Sequence, residues 1–130
     1  MTLGMSAANM ADAILTAFDT STANLIASHA SPHTADPGAS GTTGLFTSVT
    51  TQRTSLTWAA LAGTTTRTRT STNGTWAVTG SGTVSHVGVW NASSAGLFRF
   101  SAVLDTPRAV INGDTLNLTS LTFGLTPIAA

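Results

Sequence analysis

The fold is decided by one stretch, residues 82–118, which reads GTVSHVGVWNASSAGLFRFSAVLDTPRAVINGDTLNL. Residues 83–90 are rich in valine and end on a tryptophan, and residues 97–104 alternate large apolar with other side chains. Valine and aromatic residues favour strands. The linking segment NASSAG consists of turn formers and ends on Gly96, where a positive φ is expected. The stretch therefore predicts an antiparallel hairpin at the centre of a sheet.

Side-chain alternation predicts which residues of this hairpin share a face. In the second strand one face carries Phe98, Phe100, Ala102 and Leu104. In the first strand Val87 and Val89 point one way, whereas Val84 and Trp90 point the other. Apolar side chains thus occur on both sides, and we expect both faces of the hairpin to be covered.

The segment after the hairpin predicts two turns and two further strands. Residues 105–108 predict a turn, residues 109–111 a short strand and residues 112–114 a second turn. Beyond them the apolar positions shift register by one residue at Thr119-Ser120. A shift of this kind predicts a β-bulge within a last strand that ends near residue 125.

The segment before the hairpin predicts an edge strand at residues 64–72, rich in threonine and with Arg67 and Arg69 on one face. Asn73-Gly74 follows and predicts a two-residue type I′ turn that pairs Thr72 with Thr75. Residues 46–58 predict one or two strands. Residues 25–30 predict another strand, which leads into an exposed loop with a tight turn at residues 35–38.

An amphipathic helix is predicted at residues 6–18, where Met10, Ile14, Leu15 and Phe18 form one apolar stripe. So short a helix is marginal alone, so we expect the stripe to dock on the sheet or on a neighbouring subunit. The predicted organisation is an N-terminal helix and arm at residues 1–22 and a single antiparallel β-domain at residues 23–130. The fold class is mainly β, an antiparallel β-sandwich or rolled sheet with one short N-terminal α-helix.

Composition excludes several classes of function. Only 8% of the residues are charged and the net charge is zero, which argues against nucleic-acid binding because that requires clustered cations. With no cysteine in the chain, disulfides and thiolate metal sites are excluded. No apolar run is long enough to span a membrane, and no secretory signal is evident. We therefore expect assembly in the cytoplasm and no membrane partner.

The three histidines are candidate catalytic or zinc-binding groups. His29 and His33 fall across a turn that contains a proline, and His86 lies far away in the sequence, so a zinc site is not expected. We expect His33 on the loop, and His86 in the central strand with a hydrogen bond to the backbone. No nucleophile elbow accompanies the many serines, so neither a Ser–His–Asp site nor any other catalytic residue is predicted.

Carboxylates and tryptophans leave two binding alternatives open. Calcium could be held by Asp36, Asp105 and Asp114, although a dense run of ligands is missing. A sugar-stacking platform could be formed by Trp58, Trp76 and Trp90. In a small β-domain the core or a subunit interface is the more common place for tryptophan. We expect no metal and no cofactor.

Four segments, in this order, resemble a family of small tailed-bacteriophage virion proteins of the tail-fibre-like or head-decoration type. They are AANMADAILTAF at residues 7–18, SPHTADPGASG at 31–41, SGTVSHVGVWNASSAG at 81–96 and FSAVLDTPRAVINGDTLNL at 100–118. The middle, threonine-rich part of the chain lies outside the resemblance. The resemblance implies a structural component displayed on the virion surface.

The sequence thus predicts a non-enzymatic bacteriophage virion protein, a capsid decoration or minor capsid protein that docks as an oligomer on the head lattice. The alternative is a tail-fibre or tail-tip module that binds a host receptor or glycan. Expected partners are the major capsid protein or other virion proteins and further copies of the chain, with a trimer as one arrangement. The expected partner interface comprises Met10, Ile14, Leu15, Phe18, Trp58, Arg67 and Arg69.

Overall fold

The structure is a computed structural model that describes residues 12–18 and 26–125. Within these ranges the chain forms one helix and eight strands. They are α1 (Asp12–Thr16), β1 (His29–His33), β2 (Thr54–Ser55), β3 (Arg67–Ser71), β4 (Thr75–Ala77), β5 (Gly82–Trp90), β6 (Phe98–Val110), β7 (Thr115–Asn117) and β8 (Leu121–Leu125). The predicted fold class, mainly β with antiparallel sheets and one short helix, is confirmed.

The largest sheet has four antiparallel strands in the order β2-β1-β5-β6. The predicted central hairpin is its β5–β6 pair. The connection between these strands turns through Gly96, whose φ is +69°, as the run of turn formers predicts. β5 is paired on both sides, whereas β6 forms one edge of the sheet.

The face assignments of the hairpin agree with where its core residues pack. Val87 and Val89 enter the main core, and Trp90 lies on the opposite face. Val84 packs in a second core cluster with Phe46, Val78 and Val110. The extra residues at the irregular step between Val84 and His86 lie on β6, so the predicted separation of Val84 from Val87 stays a prediction.

Two two-stranded sheets, β3–β8 and β4–β7, complete the β-structure. One face of the large sheet packs against these small sheets and against α1 around a shared core. At its centre Phe18 contacts Trp58 and Phe123, with ring centroids 5.3 Å and 5.1 Å apart. The stripe of α1 thus docks on its own sheet, one of the two placements expected for it.

The predicted turn at residues 105–108 was wrong, because β6 runs on to Val110. Pairing with β5 is interrupted there: His86 lies opposite Val103, and Val84 lies opposite Arg108. The extra residues on β6 form a bulge, so the turn-forming Asp and Pro distort the strand without reversing it. The second predicted turn, at residues 112–114, is confirmed by a Gly113 φ of +97°.

The predicted Asn73-Gly74 hairpin was also wrong. β3 pairs with β8 and β4 pairs with β7, so the two strands beside this dipeptide belong to different sheets. Gly74 has a positive φ of +142°, but Asn73 does not, whereas a type I′ turn needs both. The Asn73 side chain instead bridges two segments: Oδ1 accepts the Thr57 amide, and Nδ2 donates to the Ser55 carbonyl.

Thr119-Ser120 does not form the predicted β-bulge. The chain leaves β7 at Asn117 and enters β8 at Leu121, so these residues carry it from one small sheet to the other. A β-bulge and a crossing between two sheets each change which side chains face the core. A register jump in the sequence cannot distinguish a bulge from a crossing between sheets.

Other boundaries differ by several residues. The first strand, predicted at residues 25–30, is β1, and it extends through Pro32 to His33. Proline is tolerated there because β2 pairs only with His29 and Ala30. Of residues 46–58, only Thr54–Ser55 form a named strand. The predicted domain boundary at residues 22/23 and the start of the helix lie outside the described residues.

Candidate interaction surface and buried polar cluster

The expected interface residues lie mostly inside the chain's own core. Leu15 is fully buried, and Phe18, Trp58 and Arg69 are at most 7% exposed. Ile14 and Arg67 are half-buried, and Met10 lies outside the described residues. A partner protein could contact Ile14 and Arg67 directly. It could contact the four buried side chains only if α1 moved away from the sheet.

Arg69 and Arg67 hold α1 in place. The Arg69 guanidinium donates to three backbone carbonyls, those of Leu15, Trp58 and Ala59, at 2.9–3.2 Å. Leu15 lies in the last turn of α1, where a cation also favours the helix dipole. Arg67 Nε donates to Asp12 Oδ1 at 2.6 Å at the start of the helix, and this hydrogen bond raises the pKa of Arg67.

A buried polar cluster crosses β1 and β5 on the outer face of the large sheet. Trp90 Nε1 donates to Ser31 Oγ at 2.8 Å, and Ser31 Oγ lies 2.9 Å from His33 Nε2. His33 Nδ1 lies 2.9 Å from the Thr43 carbonyl oxygen. Because that carbonyl only accepts, Nδ1 carries the proton, and Nε2 accepts from the Ser31 hydroxyl. Every polar hydrogen in the cluster then has an acceptor.

This cluster corrects the sequence prediction for the histidines. His33 was expected on the exposed loop but is fully buried at the end of β1. Desolvation lowers the pKa of His33 below its usual 6.5, despite the opposing effect of the Thr43 hydrogen bond. His86 does lie in the central strand, but its Nδ1 bonds the Ser85 hydroxyl, not the backbone.

The Ser31–His33 pair has the separation of a nucleophile and its general base. Both residues are 0% exposed, however, and Ser31 Oγ already accepts the indole proton of Trp90. A substrate cannot reach this hydroxyl without unfolding the strand pair. The arrangement therefore joins β1, β5 and the loop at Thr43, and it offers no route to covalent catalysis.

Glycine at position 88 makes room for the cluster. A Cβ added there would lie 2.8 Å from His33 Nε2 and 3.2 Å from Ser31 Oγ, closer than carbon and these atoms normally approach. Arg53 covers the same face, with its guanidinium carbon 3.6 Å from the centre of the Trp90 ring. It also donates to the Ala92 and Ala95 carbonyls, so one cation fastens the loop between β5 and β6.

The carboxylates considered for calcium have other roles. Asp36 accepts the Gly38 amide and Asp114 accepts the Ile111 amide, each within a turn. Asp105 lies on the bulged part of β6. Among residues 12–18 and 26–125, no group of three or more potential ligands could hold a metal ion. The expectation of no metal stays a prediction.

The tryptophans do not form a sugar-stacking platform, because Trp58, Trp76 and Trp90 are each at most 5% exposed. Trp76 instead lies at the base of a cleft of about 240 Å³ between β6 and the β7–β8 connection. Its Nε1 has no hydrogen-bond acceptor among the described residues. Val103, Asp105 and Arg108 line the same cleft.

Exposed large hydrophobic side chains occur within β6 and beside both of its ends. Three large hydrophobic residues within the described ranges stand out as exposed: Leu97 at 55%, Val103 at 69% and Ile111 at 62%. Leu97 precedes β6, Val103 lies within it, and Ile111 follows it. Because β6 is also an edge of the sheet, unpaired backbone groups and exposed apolar side chains occur together there.

Comparison with known families decides the kind of protein. The family model Gp80, described as podophage GP4 fiber I protein gp80, matches residues 4–126. The chain belongs to this family. It is a phage virion protein of the tail-fibre type, which confirms the resemblance seen in the sequence. No curated protein and no solved structure matches the chain.

The motifs that carry the resemblance have structural roles in this Gp80-family chain. HTADPG supplies His33 to the buried cluster and the Asp36–Gly38 turn, and SHVG supplies Gly88. NGDTL forms the turn before β7. No helix within the described ranges is long and apolar enough to cross a membrane.

Sequence reasoning missed the contributions of Ser31 and Arg53. Neither residue stands out by its type or spacing, because serine is abundant and Arg53 lies in a segment without clear periodicity. Pro32 misled the prediction, because a proline at the strand end makes Ser31 and His33 look like loop residues although both are buried.

Proposed function

We propose that this protein is a non-enzymatic component of the phage tail fibre, which acts by adhering to other proteins of the virion. The family match over residues 4–126 carries the proposal, since the family is named for a fibre protein. As a structural virion protein it would function in the assembled particle, after assembly in the host cytoplasm.

The geometry supports adhesion over catalysis. Ser31 and His33, which come closest to a catalytic pair, are buried and hydrogen-bonded within the chain. The exposed features are a surface with few charges and the outer edge of β6, where Val103 is exposed. Such a surface tolerates close packing against other proteins, because little charge has to be desolvated.

A position on the head is the second candidate. The 130-residue chain has no internal repeat or coiled-coil heptads, features that are common in long fibres, and this favours a capsid decoration or minor capsid protein. Its partners would then be the major capsid protein and further copies of the chain. Many identical lattice sites would compensate for a modest affinity at each site.

Glycan recognition through stacked tryptophans is not part of the proposal. All three indole rings are buried, and stacking of a sugar needs an exposed aromatic face. A role at the host surface would therefore have to use loops, of which the segment at residues 34–45 is the longest exposed example near the buried cluster.

Gold-labelled antibodies raised against the purified protein test the location on intact virions by electron microscopy. Label on the tail fibres supports the proposal, whereas label spread over the head supports the decoration alternative. Label on neither structure, with signal only in the lysate, would contradict a virion role. Virions from which the gene has been deleted provide the antibody control.

A further inference from the structure

We propose that Asn112 is a site of spontaneous covalent modification, at which the folded protein deamidates to isoaspartate or aspartate. The chain contains two Asn-Gly dipeptides, at residues 73–74 and 112–113, and the fold protects only the first. The proposal concerns the chemistry of the chain itself and does not depend on whether the protein lies on the fibre or the head.

Deamidation is a ring closure followed by hydrolysis. The backbone nitrogen of the residue after asparagine loses its proton and bonds to the side-chain Cγ, while the bond from Cγ to the side-chain nitrogen breaks. Ammonia leaves, and a succinimide ring remains. Water then opens the ring, at the side-chain carbonyl to give aspartate or at the backbone carbonyl to give isoaspartate. Glycine in the following position favours ring closure because it has no Cβ to hinder the attacking nitrogen.

The turn that carries Asn112 stands in solvent. Asn112 and Gly113 are both exposed, and a Cβ added to Gly113 would meet no atom within 4 Å. Among the described residues, none forms a hydrogen bond with the Asn112 side chain. The amide group can therefore rotate toward the next backbone nitrogen without breaking a contact.

One hydrogen bond opposes the reaction at this turn. The Gly113 N–H, which supplies the attacking nitrogen, donates to the Val78 carbonyl at 2.9 Å. This hydrogen bond has to break before the ring can close. Residues 111–114 are all exposed, and exposed turns open locally at a small cost in free energy. The hydrogen bond therefore slows the modification without preventing it.

Asn73 is also followed by glycine, but its surroundings hold it in place. Its Oδ1 accepts the Thr57 N–H at 2.7 Å and the Ser71 hydroxyl at 2.8 Å, and its Nδ2 donates to the Ser55 carbonyl at 3.0 Å. Gly74 is buried, so the attacking nitrogen is confined as well. Ring closure there requires the fold to open, and the reaction is limited by the small population of opened chains.

Modification should loosen the turn between β6 and β7. Isoaspartate adds one carbon atom to the main chain between residues 112 and 113, within a turn that the Ile111 carbonyl closes by accepting the Asp114 N–H at 3.1 Å. Aspartate instead adds a carboxylate two residues from that of Asp114, and like charges this close repel each other. Both products should lower the Tm by a few degrees.

Peptide mapping by mass spectrometry tests the proposal on the full chain, aged in mildly alkaline buffer, where the backbone nitrogen loses its proton more readily. Cleavage after arginine separates the two sites, because one peptide spans residues 70–99 and another begins at residue 109. In the folded chain, deamidation should be at least about tenfold faster at Asn112 than at Asn73. In urea, where no fold protects either site, the two rates should agree within about threefold.

Variants test the reason for the difference. Asn112→Gln should abolish the modification at this position, because glutamine would have to close a larger ring, whereas Asn117→Gln in the same peptide should leave it unchanged. Ser71→Ala removes one donor from Asn73 Oδ1 and should accelerate deamidation at Asn73 several-fold without changing the rate at Asn112. Thr72→Ala, at an exposed neighbour, is its control.

Three results would overturn the proposal. If Asn112 stays intact in the folded chain for as long as it takes to convert fully in urea, the Val78 hydrogen bond protects it and the site does not exist. Equal rates at Asn112 and Asn73 in the folded chain would show that their surroundings do not control the reaction. An unchanged rate at Asn73 in a folded Ser71→Ala chain would remove the explanation for its protection. If Ser71→Ala does not fold, the comparison of the two sites within the natural chain decides.

Discussion

His33 and Gly88 lie against each other across β1 and β5, and the imidazole occupies the space that a side chain at position 88 would need. A Cβ at residue 88 would lie 2.8 Å from His33 Nε2. Ser31 is paired with Gly88 in the strand register, so the small residue is required where the buried hydroxyl and the imidazole meet.

Gly88→Ala should therefore destabilise the protein by about 1–3 kcal/mol, because the added methyl group displaces His33 or separates the strands. Urea unfolding measures the loss. A Cβ at residue 124 would lie 3.2 Å and 3.3 Å from the methyl carbons of Thr68 and Thr66, and 3.7 Å from the Arg67 carbonyl oxygen. Gly124→Ala is the matched control, because Gly124 is also a strand glycine without a positive φ but is exposed and would meet mainly the ends of side chains. It should change stability by less than about 0.5 kcal/mol. Equal effects of the two substitutions would contradict the packing role of Gly88.

Stability should fall as the pH is lowered from neutral. Desolvation lowers the folded-state pKa of His33 and of His29 below the usual 6.5, so the unfolded chain takes up protons first. The stabilisation from neutral histidine is complete above pH 6.5 and declines below it, toward the folded pKa, by up to about 1.4 kcal/mol per pH unit for the buried His33. The partly exposed His29 contributes less. Urea unfolding at several pH values measures the slope, and His33→Gln should reduce it. A stability that rises on acidification would refute this assignment.

Arg69→Met should cost about 3 kcal/mol, because three buried carbonyl groups lose a charged donor and α1 loses its attachment. Arg67→Met is the matched control on the same strand. Its ion pair with Asp12 is partly exposed, and solvent weakens such pairs, so only a small fall in Tm is expected. If both variants melt alike, Arg69 does not fasten the helix as described.

Asn73→Gly distinguishes the hairpin predicted by the sequence from the observed structure, in which the strands on either side of Asn73 belong to different sheets. A type I′ turn accepts glycine readily at this position, so a hairpin would lose little stability. In the observed structure the side chain bridges Ser55 and Thr57, and its removal should cost about 2 kcal/mol. Thr72→Ala, at an exposed neighbour, provides the control. A neutral Asn73→Gly variant would favour the hairpin.

Local pattern was sufficient for the central part of this fold. The β5–β6 hairpin, the turn at Gly96 and the apolar stripe of α1 follow from alternation, turn chemistry and helical spacing, all of which act over a few residues. The pairings of β3 with β8 and β4 with β7 join segments more than 35 residues apart in the sequence. No local signal specifies such partners, so the strands on either side of Asn73-Gly74 were predicted to pair with each other.

The interface residues were less predictable than the fold. Apolar spacing identifies a side chain that must be covered, but not whether the same chain or another one covers it. For Leu15, Phe18 and Trp58 the cover is intramolecular. Arg69 was among the expected interface residues, yet it is buried and donates to three carbonyls from other segments of the same chain.

Quantitative mass spectrometry of purified infectious virions measures whether this polypeptide is part of the particle and in how many copies. A component of the tail fibre should be present at a fixed copy number per virion, small and comparable to that of other fibre proteins. Absence of the polypeptide from particles that retain full infectivity would contradict a virion role.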